Sequence, residues 1–287
     1  MTIHDYYLSI NHDKSDNGNG DYCSINIGKE KRKMFEKTEI AFDKFFIPKS
    51  NDLKFLPNKS ILIEIAFTLK KPYMSKAEGE FHVYEEMDEK DKTTKYKILY
   101  NAIVRDTLTK KPIVKPSTWK GHLRYAAKSI DFKNKKMLIK RLFGSQPDED
   151  PLKGRLYFFT TFFNNKNTKN DVITPINRSK RIPASGPIAI EVVEANSKGV
   201  FYLLYLPYPV SESPEEKSLE DLEFIVSSLE AMFFTYGFSA KKTSGFGTIK
   251  EKFNGKLWLL LNKKIQEKTF SDFSGFNEKI KGLKCDE

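Results

Sequence analysis

The apolar residues of this chain change period in a fixed order, and that order limits the fold more than any other feature. Ile61, Ile63, Ile65, Phe67 and Leu69 recur every second residue, the period of a half-buried strand. Trp119, Leu123, Ala126 and Ile130 are spaced 4, 3 and 4, one stripe of a helix, and Ser117 after Pro116 is its expected N-cap. Lys135 to Gly144 reads as a second short helix. Arg155–Phe163, Ile188–Val193 and Val200–Leu206 read as strands. Leu219, Leu222, Ile225, Val226, Leu229, Met232 and Phe233 form a long helical stripe, opened by Ser218 and closed by Gly237. Thr248–Phe253 and Lys256–Leu261 close the series as strands. With inserts removed the order is strand, helix, strand, strand, helix, strand. The expected class is α+β: a ferredoxin-like (RRM-like) βαββαβ core with long insertions, among them a thumb-like β-hairpin or loop.

The expected organisation is an N-terminal extension at 1–57, a domain at 58–261 with insertions at about 70–100 and 164–186, and a polar tail at 262–287. Glu85 to Lys92, inside the first insertion, is expected to be a charged loop. The 23 Phe and 13 Tyr among 287 residues require a folded interior. The longest apolar runs, Tyr202–Leu206 and Leu257–Leu261, fall far short of the ~20 residues of a membrane span, so no membrane partner is expected. The start Met1-Thr-Ile-His-Asp5 predicts no secretory leader. Two cysteines, Cys23 and Cys285, make no disulfide framework and suit a reducing cytoplasm.

Lys plus Arg is 49 and Asp plus Glu is 38, a net charge of +11, which favours a polyanionic partner. Abundant lysine could also be a solvated surface. Arginine is scarcer, and six of the seven (Arg105, Arg124, Arg141, Arg155, Arg178, Arg181) lie in one central stretch, which points to an anion there. Three motifs could hold phosphates. Pro116 to Arg124 places Ser117, Thr118, Lys120 and Gly121 at a helix start, with Lys120 and Arg124 four apart on one face. Thr174 to Arg181 collects Asn177, Arg178, Lys180 and Arg181 with no acid nearby. Gly237 to Gly247 offers Lys241, Lys242, Ser244 and Gly245 in a loop rich in backbone donors. Each alone has a bland reading: a capped helix, a mobile basic loop, a helix-to-strand turn.

Together, in this order, the motifs resemble the RAMP superfamily of CRISPR systems. The resemblance rests on Val104-Arg-Asp106, Pro112 to Arg124, Leu142-Phe-Gly144, Gly154-Arg-Leu156, Thr174-Pro-Ile-Asn-Arg178 and Thr243-Ser-Gly-Phe-Gly247, and runs from about Ile61 to Phe253. It is similar to the backbone subunits of type III and type III-derived, type VII-like effector complexes. It implies a subunit that coats the CRISPR RNA (crRNA) and holds a complementary target RNA. The expected partners are further copies of itself, other effector subunits and a separate nuclease subunit. It implies that the thumb wedges into the guide–target duplex and that the helix start and glycine loop face the guide backbone, with Lys120, His122, Arg124, Asn177, Arg178, Lys241 and Lys242 as guide contacts. Target-cleaving members carry a catalytic Asp just before Val-Arg-Asp; this chain has Tyr100 and Asn101 there, so no cleavage by this subunit and no catalytic residue are expected.

Two rivals stand beside this reading: a metal-dependent endoribonuclease that cuts target or processes crRNA, using Asp106 or the Glu85–Asp91 run, and a basic scaffold without RNA contact. No cofactor or metal is expected, because His4, His12, His82 and His122 lack ligand spacing. Trp119 and the aromatics of Tyr157–Phe163 are expected in the core.

Overall fold

In a computed structural model of the chain, residues 47–76, 82–87, 94–99, 101–107, 109, 111–145, 151–164, 168–174, 176–177, 179–183, 186–208 and 214–282 are described. The expectations for Tyr100, Arg178, both cysteines, most of the N-terminal extension and the middle of the acidic run lie outside them.

The centre is a five-stranded antiparallel sheet. Its strands are β1 (Ile61–Thr68), β5 (Leu156–Phe158), β9 (Lys198–Tyr205), β10 (Asn254–Leu261) and β11 (Lys264–Phe270), in the order β11-β10-β1-β9-β5. β1 lies between β10 and β9, with Ile63 opposite Leu257 on one side and Leu203 on the other. The alternation in β1 sends Ile61, Ile63, Ile65 and Phe67 to the helical face, and Leu62 to a smaller cluster with Leu53, Tyr202, Trp258 and Leu260. A 3-10 turn, Ser50–Phe55, supplies Leu53 to that second face.

Helix α1 (Pro116–Ser129) and helix α3 (Pro214–Glu230) cover the first face, with α2 (Lys135–Phe143) beside them and α4 (Phe273–Gly282) at the far end. Trp119 anchors α1. It is fully buried among Phe201, Phe233 and Phe238, with ring centroids 4.8, 5.8 and 4.4 Å away. Each such pair adds about 0.5–1.5 kcal/mol to simple burial. Its indole N–H donates to Thr161 Oγ1 at 3.1 Å, so the polar end of the ring is satisfied.

Two hairpins leave this body. One pairs β2 (His82–Met87) with β3 (Thr94–Leu99); the other pairs β7 (Lys169–Ile173) with β8 (Ile188–Val192). A short pair, β4 (Ile113–Val114) with β6 (Thr161–Phe162), closes the entry to α1. Among the described residues no helix is long and apolar enough to cross a membrane.

Several expectations need correction. Glu85 and Glu86 are in a paired strand, not a loop. Ile188–Val192 leaves the main sheet and pairs with residues expected as loop. The strand expected at Arg155–Phe163 breaks: Leu156–Phe158 pairs with β9, whereas Thr161–Phe162 pairs with β4. Thr248–Phe253 contributes only the bridge between Leu69 and Ile249. α1 begins at Pro116 with Lys115 at the cap, because proline at the first position needs no N–H partner; Ser117 is inside it. α3 begins at Pro214 rather than at Ser218, and a π turn, Ala231–Tyr236, carries it to Gly237. Residues expected as tail form β11 and α4.

Candidate nucleic-acid interface

The burial of Trp119, Leu123, Ala126 and Ala127 turns the opposite side of α1 outward. Ser117, Lys120, Gly121, Tyr125 and Lys128 are exposed there, with His122 and Arg124 half-buried at the margin. The Arg124 Nε is buried and has no hydrogen-bond partner among the described residues.

The glycine loop comes to this side of α1. Gly237 (φ 71°) and Gly247 (φ 75°) occupy the left-handed region and pack closely: a Cβ on Gly237 would stand 2.3 Å from the Phe246 carbonyl oxygen. The Ser239 hydroxyl accepts from Met74 N–H at 2.9 Å and donates to Met74 O at 3.0 Å, tying the loop to the segment after β1. Lys241 and Lys242 are half-buried on the loop, Ser244 is exposed, and Gly245 (φ 76°) opens onto free space.

Helix and loop meet through Lys242. Its Nζ lies 3.6 Å from the centroid of the Tyr125 ring, well inside the range of a cation–π contact. The Tyr236 ring stands perpendicular to Tyr125, 5.3 Å away. Burial, and secondarily the Lys242 charge, push the His122 imidazole down to about 4. His122 is therefore neutral near pH 7: a hydrogen-bonding group, not a cation. Burial also lowers the Lys242 ammonium from its ordinary value.

The β7–β8 hairpin carries the second motif. At its base, Ile190 and Val192 pack with Met74, and Phe246 of the glycine loop joins them, so the hairpin and the loop share a support. At its tip, Asn177 Oδ1 accepts from the Ser179 N–H, the Ser179 hydroxyl and the Lys180 N–H. Arg181 is held at φ 54°, and its N–H donates to the Asn177 carbonyl at 2.8 Å. This is a preformed turn that presents Lys180 and Arg181 beside the exposed Ile176 and Ile182. The first and third motifs meet through Lys242 and Tyr125, and the base of the hairpin joins the same loop through Phe246.

The arginine bunching has another cause in three of its six members. Arg141 and Arg155 both pair with the fully buried Asp221, at 2.6 and 2.9 Å. Tyr205 donates to the same carboxylate at 2.8 Å, and burial with the Asp221 charge pushes its phenol up to about 12. Arg105 pairs with Glu191 at 2.6 Å and also donates to Thr168. These three bind carboxylates inside the fold, not an external anion. The Asn101 side chain donates to the Ala189 carbonyl at 3.0 Å, and Asp106 Oδ1 accepts from both the N–H and hydroxyl of Thr109. Both brace the root of the β7–β8 hairpin and its neighbouring turn. Among the described residues no cluster of three or more His, Cys, Asp or Glu is placed to hold a metal.

Tyr125 and Tyr236 were not among the sequence candidates. The available signal was a tyrosine on the polar side of the Trp119–Ile130 stripe, where packing does not call for a ring.

The RAMP superfamily model matches residues 95–250, more than half the chain and the span that holds all three motifs. No curated protein matches. Two solved structures resemble the fold at low identity. One is a chain of the cryo-EM structure of the Type III-B Cmr-beta bound to cognate target RNA, at 15% identity and TM-score 0.44, covering 85% of this chain and 75% of that one. The other is from the Csm3-Csm4 subcomplex in the type III-A CRISPR-Cas interference complex, at 14% identity and TM-score 0.47, covering 79% of this chain and 98% of that one.

Proposed function

This chain belongs to the RAMP superfamily, and from that membership we propose that it is a backbone subunit of a type III or type III-derived CRISPR effector complex. It binds crRNA, holds the complementary target RNA in the cytoplasm, and leaves cutting to a separate subunit. The observation that carries the reading is the junction of α1 with the glycine loop: Lys242 seats on Tyr125 of the helix that carries Lys120 and Arg124, Lys241 precedes it on the loop, and no carboxylate lies within ion-pairing distance of Lys242 among the described residues. Arg141 and Arg155 are matched by Asp221, and Arg105 by Glu191, whereas Lys242 faces a ring and remains open to an outside anion. Backbone phosphates fit that role, and base pairing then supplies sequence specificity.

Three further features support the reading. The order β10-β1-β9-β5, with α1 after β1 and α3 after β9, fits a ferredoxin-like βαββαβ reading of the core. The β7–β8 hairpin, with a basic and apolar tip, suits a thumb. Asn101 and Asp106 are engaged in structural hydrogen bonds, which argues against Asp106 as the metal ligand or base of the endoribonuclease rival. Residues 58–261 then form the superfamily domain, with β11 and α4 added to its edge.

The test is to express the chain with a repeat–spacer array, purify it and sequence the RNA that accompanies it. Discrete repeat-derived small RNAs are expected, and a Lys120→Ala, Arg124→Ala, Lys242→Ala triple variant loses them. A random mixture of fragments, or RNA retained by the triple variant, overturns the reading.

A further inference from the structure

We propose that Tyr125 is a stacking platform for one nucleobase of bound single-stranded RNA, and that Lys242 leaves the ring to hold the neighbouring phosphate. This rests on the RNA-binding reading above and adds a subsite to it, in which the base is gripped by its face and not by its edge.

Four observations carry it. First, Tyr125 is 46% exposed and points away from the core stripe of α1, so the sheet does not account for a ring there. Second, Tyr236 stands edge-on at 5.3 Å and 89°, which fixes the ring before anything binds. Third, the residue one turn earlier is Gly121. Gly121 and Tyr125 lie on the same side of α1, and a Cβ at Gly121 would meet no atom within 4 Å. The helix surface one turn before Tyr125 is open. Fourth, the group covering the ring is an ammonium on a flexible stem, held 3.6 Å from the centroid by a cation–π contact and not by a carboxylate. A phosphate is a stronger partner for that ammonium than a ring is. When Lys242 moves to the phosphate, the ring face it covered becomes available to the adjoining base. Any base has such a face, so the subsite tolerates every guide sequence.

The test measures binding of a mixed-sequence single-stranded RNA and of heparin, a polyanion without bases, across a salt series. Tyr125→Leu is expected to weaken RNA binding about tenfold, leaving the salt slope and heparin binding unchanged. Tyr125→Phe keeps RNA affinity. Lys242→Met weakens both ligands and lowers the salt slope by about one. Gly121→Gln, which fills the open space without removing the ring, weakens RNA as Tyr125→Leu does and guards against a folding defect in the latter. Ultraviolet cross-linking of bound RNA is expected on the α1 peptide containing Tyr125. Full RNA affinity in a folded Tyr125→Leu variant overturns the inference, as does equal loss of RNA and heparin. A wild-type chain that prefers heparin to RNA overturns this inference and the RNA-binding reading together; RNA binding insensitive to Tyr125 overturns this one alone.

Discussion

Asp221 and Arg155 meet 2.9 Å apart with 0% and 3% of their side chains exposed. Arg141 reaches the other oxygen of Asp221 at 2.6 Å, and Tyr205 donates to the first at 2.8 Å. One carboxylate on α3 thus ties together α2, the residue before β5, and β9. The network separates these arginines from Lys242. The arginines are matched inside and maintain the scaffold on which α1 and the glycine loop sit; Lys242, at the α1–loop junction, has the Tyr125 ring beside it in place of a carboxylate.

Asp221→Ala leaves two guanidinium groups without their shared partner. Removing one member of a buried ion pair costs about 3–5 kcal/mol. Denaturant unfolding should show a loss of that order, while RNA affinity measured in the cold, on the folded fraction, stays near wild type. A loss below about 1 kcal/mol means that water reaches the site and the pair is weak. Tyr205→Phe removes one hydrogen bond to the same carboxylate and should cost about 1.5–3 kcal/mol.

Such a network has no local signature, which explains what the sequence did and did not disclose. Arg141 and Arg155 precede Asp221 by most of a domain, and no periodicity reports so distant a partner. The same scarcity of local signal hid β7. Lys169-Asn-Asp-Val-Ile173 has only two apolar residues, and backbone pairing with β8 holds it. β11 lies at the sheet edge with sparse apolar residues split between the two faces: Phe270 joins the main core, whereas Ile265 packs on the smaller cluster. By contrast, the Ile61–Leu69 alternation and the Trp119–Ile130 stripe face a full core, and there the residue pattern alone identifies the element. At the interface, sequence motifs located the helix start and the glycine loop. Their meeting through Lys242 and Tyr125 is a tertiary contact and was not visible in either motif.

Glu191 holds the root of the β7–β8 hairpin. Its carboxylate accepts from Ile103 N–H at 2.9 Å, from Arg105 at 2.6 Å and from the Thr168 hydroxyl. Glu191→Gln keeps an acceptor but discharges the pair with a partly exposed Arg105. A cost of about 1–3 kcal/mol is expected. It should appear as faster amide hydrogen exchange at Ile103 and along β8, with the α1 amides unchanged. Uniform acceleration across the chain, α1 included, is the opposing result and marks Glu191 as a global stabiliser.

His122 gives the interface a pH dependence. Burial holds its imidazole near 4 in the folded chain, against about 6.5 when unfolded. Between those values the unfolded chain binds the extra proton, so stability rises with pH there and is flat above about 6.5. As pH falls from 6.5 toward 4 this contribution is lost, and His122→Asn should flatten that part of the curve. A bound phosphate nearby favours the protonated ring, so RNA binding should take up protons and tighten as pH falls toward the folded value near 4. A proton uptake unchanged by His122→Asn places the responsible group elsewhere.

Gly121 separates the needs of the fold from those of the interface. It lies inside α1, where glycine costs roughly 0.5–1 kcal/mol relative to alanine, and its absent Cβ would meet nothing within 4 Å. Nothing in the packing of the chain itself requires a glycine there. Gly121→Ala should therefore raise stability by about that amount in thermal or denaturant unfolding. If RNA runs close over this turn of α1, beside Lys120 and the Tyr125 ring, the same methyl group should weaken RNA binding several-fold. The two effects then have opposite signs in one variant. A gain in stability with no change in RNA affinity places the RNA farther from the helix surface. A loss of stability shows a contact at this position that the open space around Gly121 does not suggest.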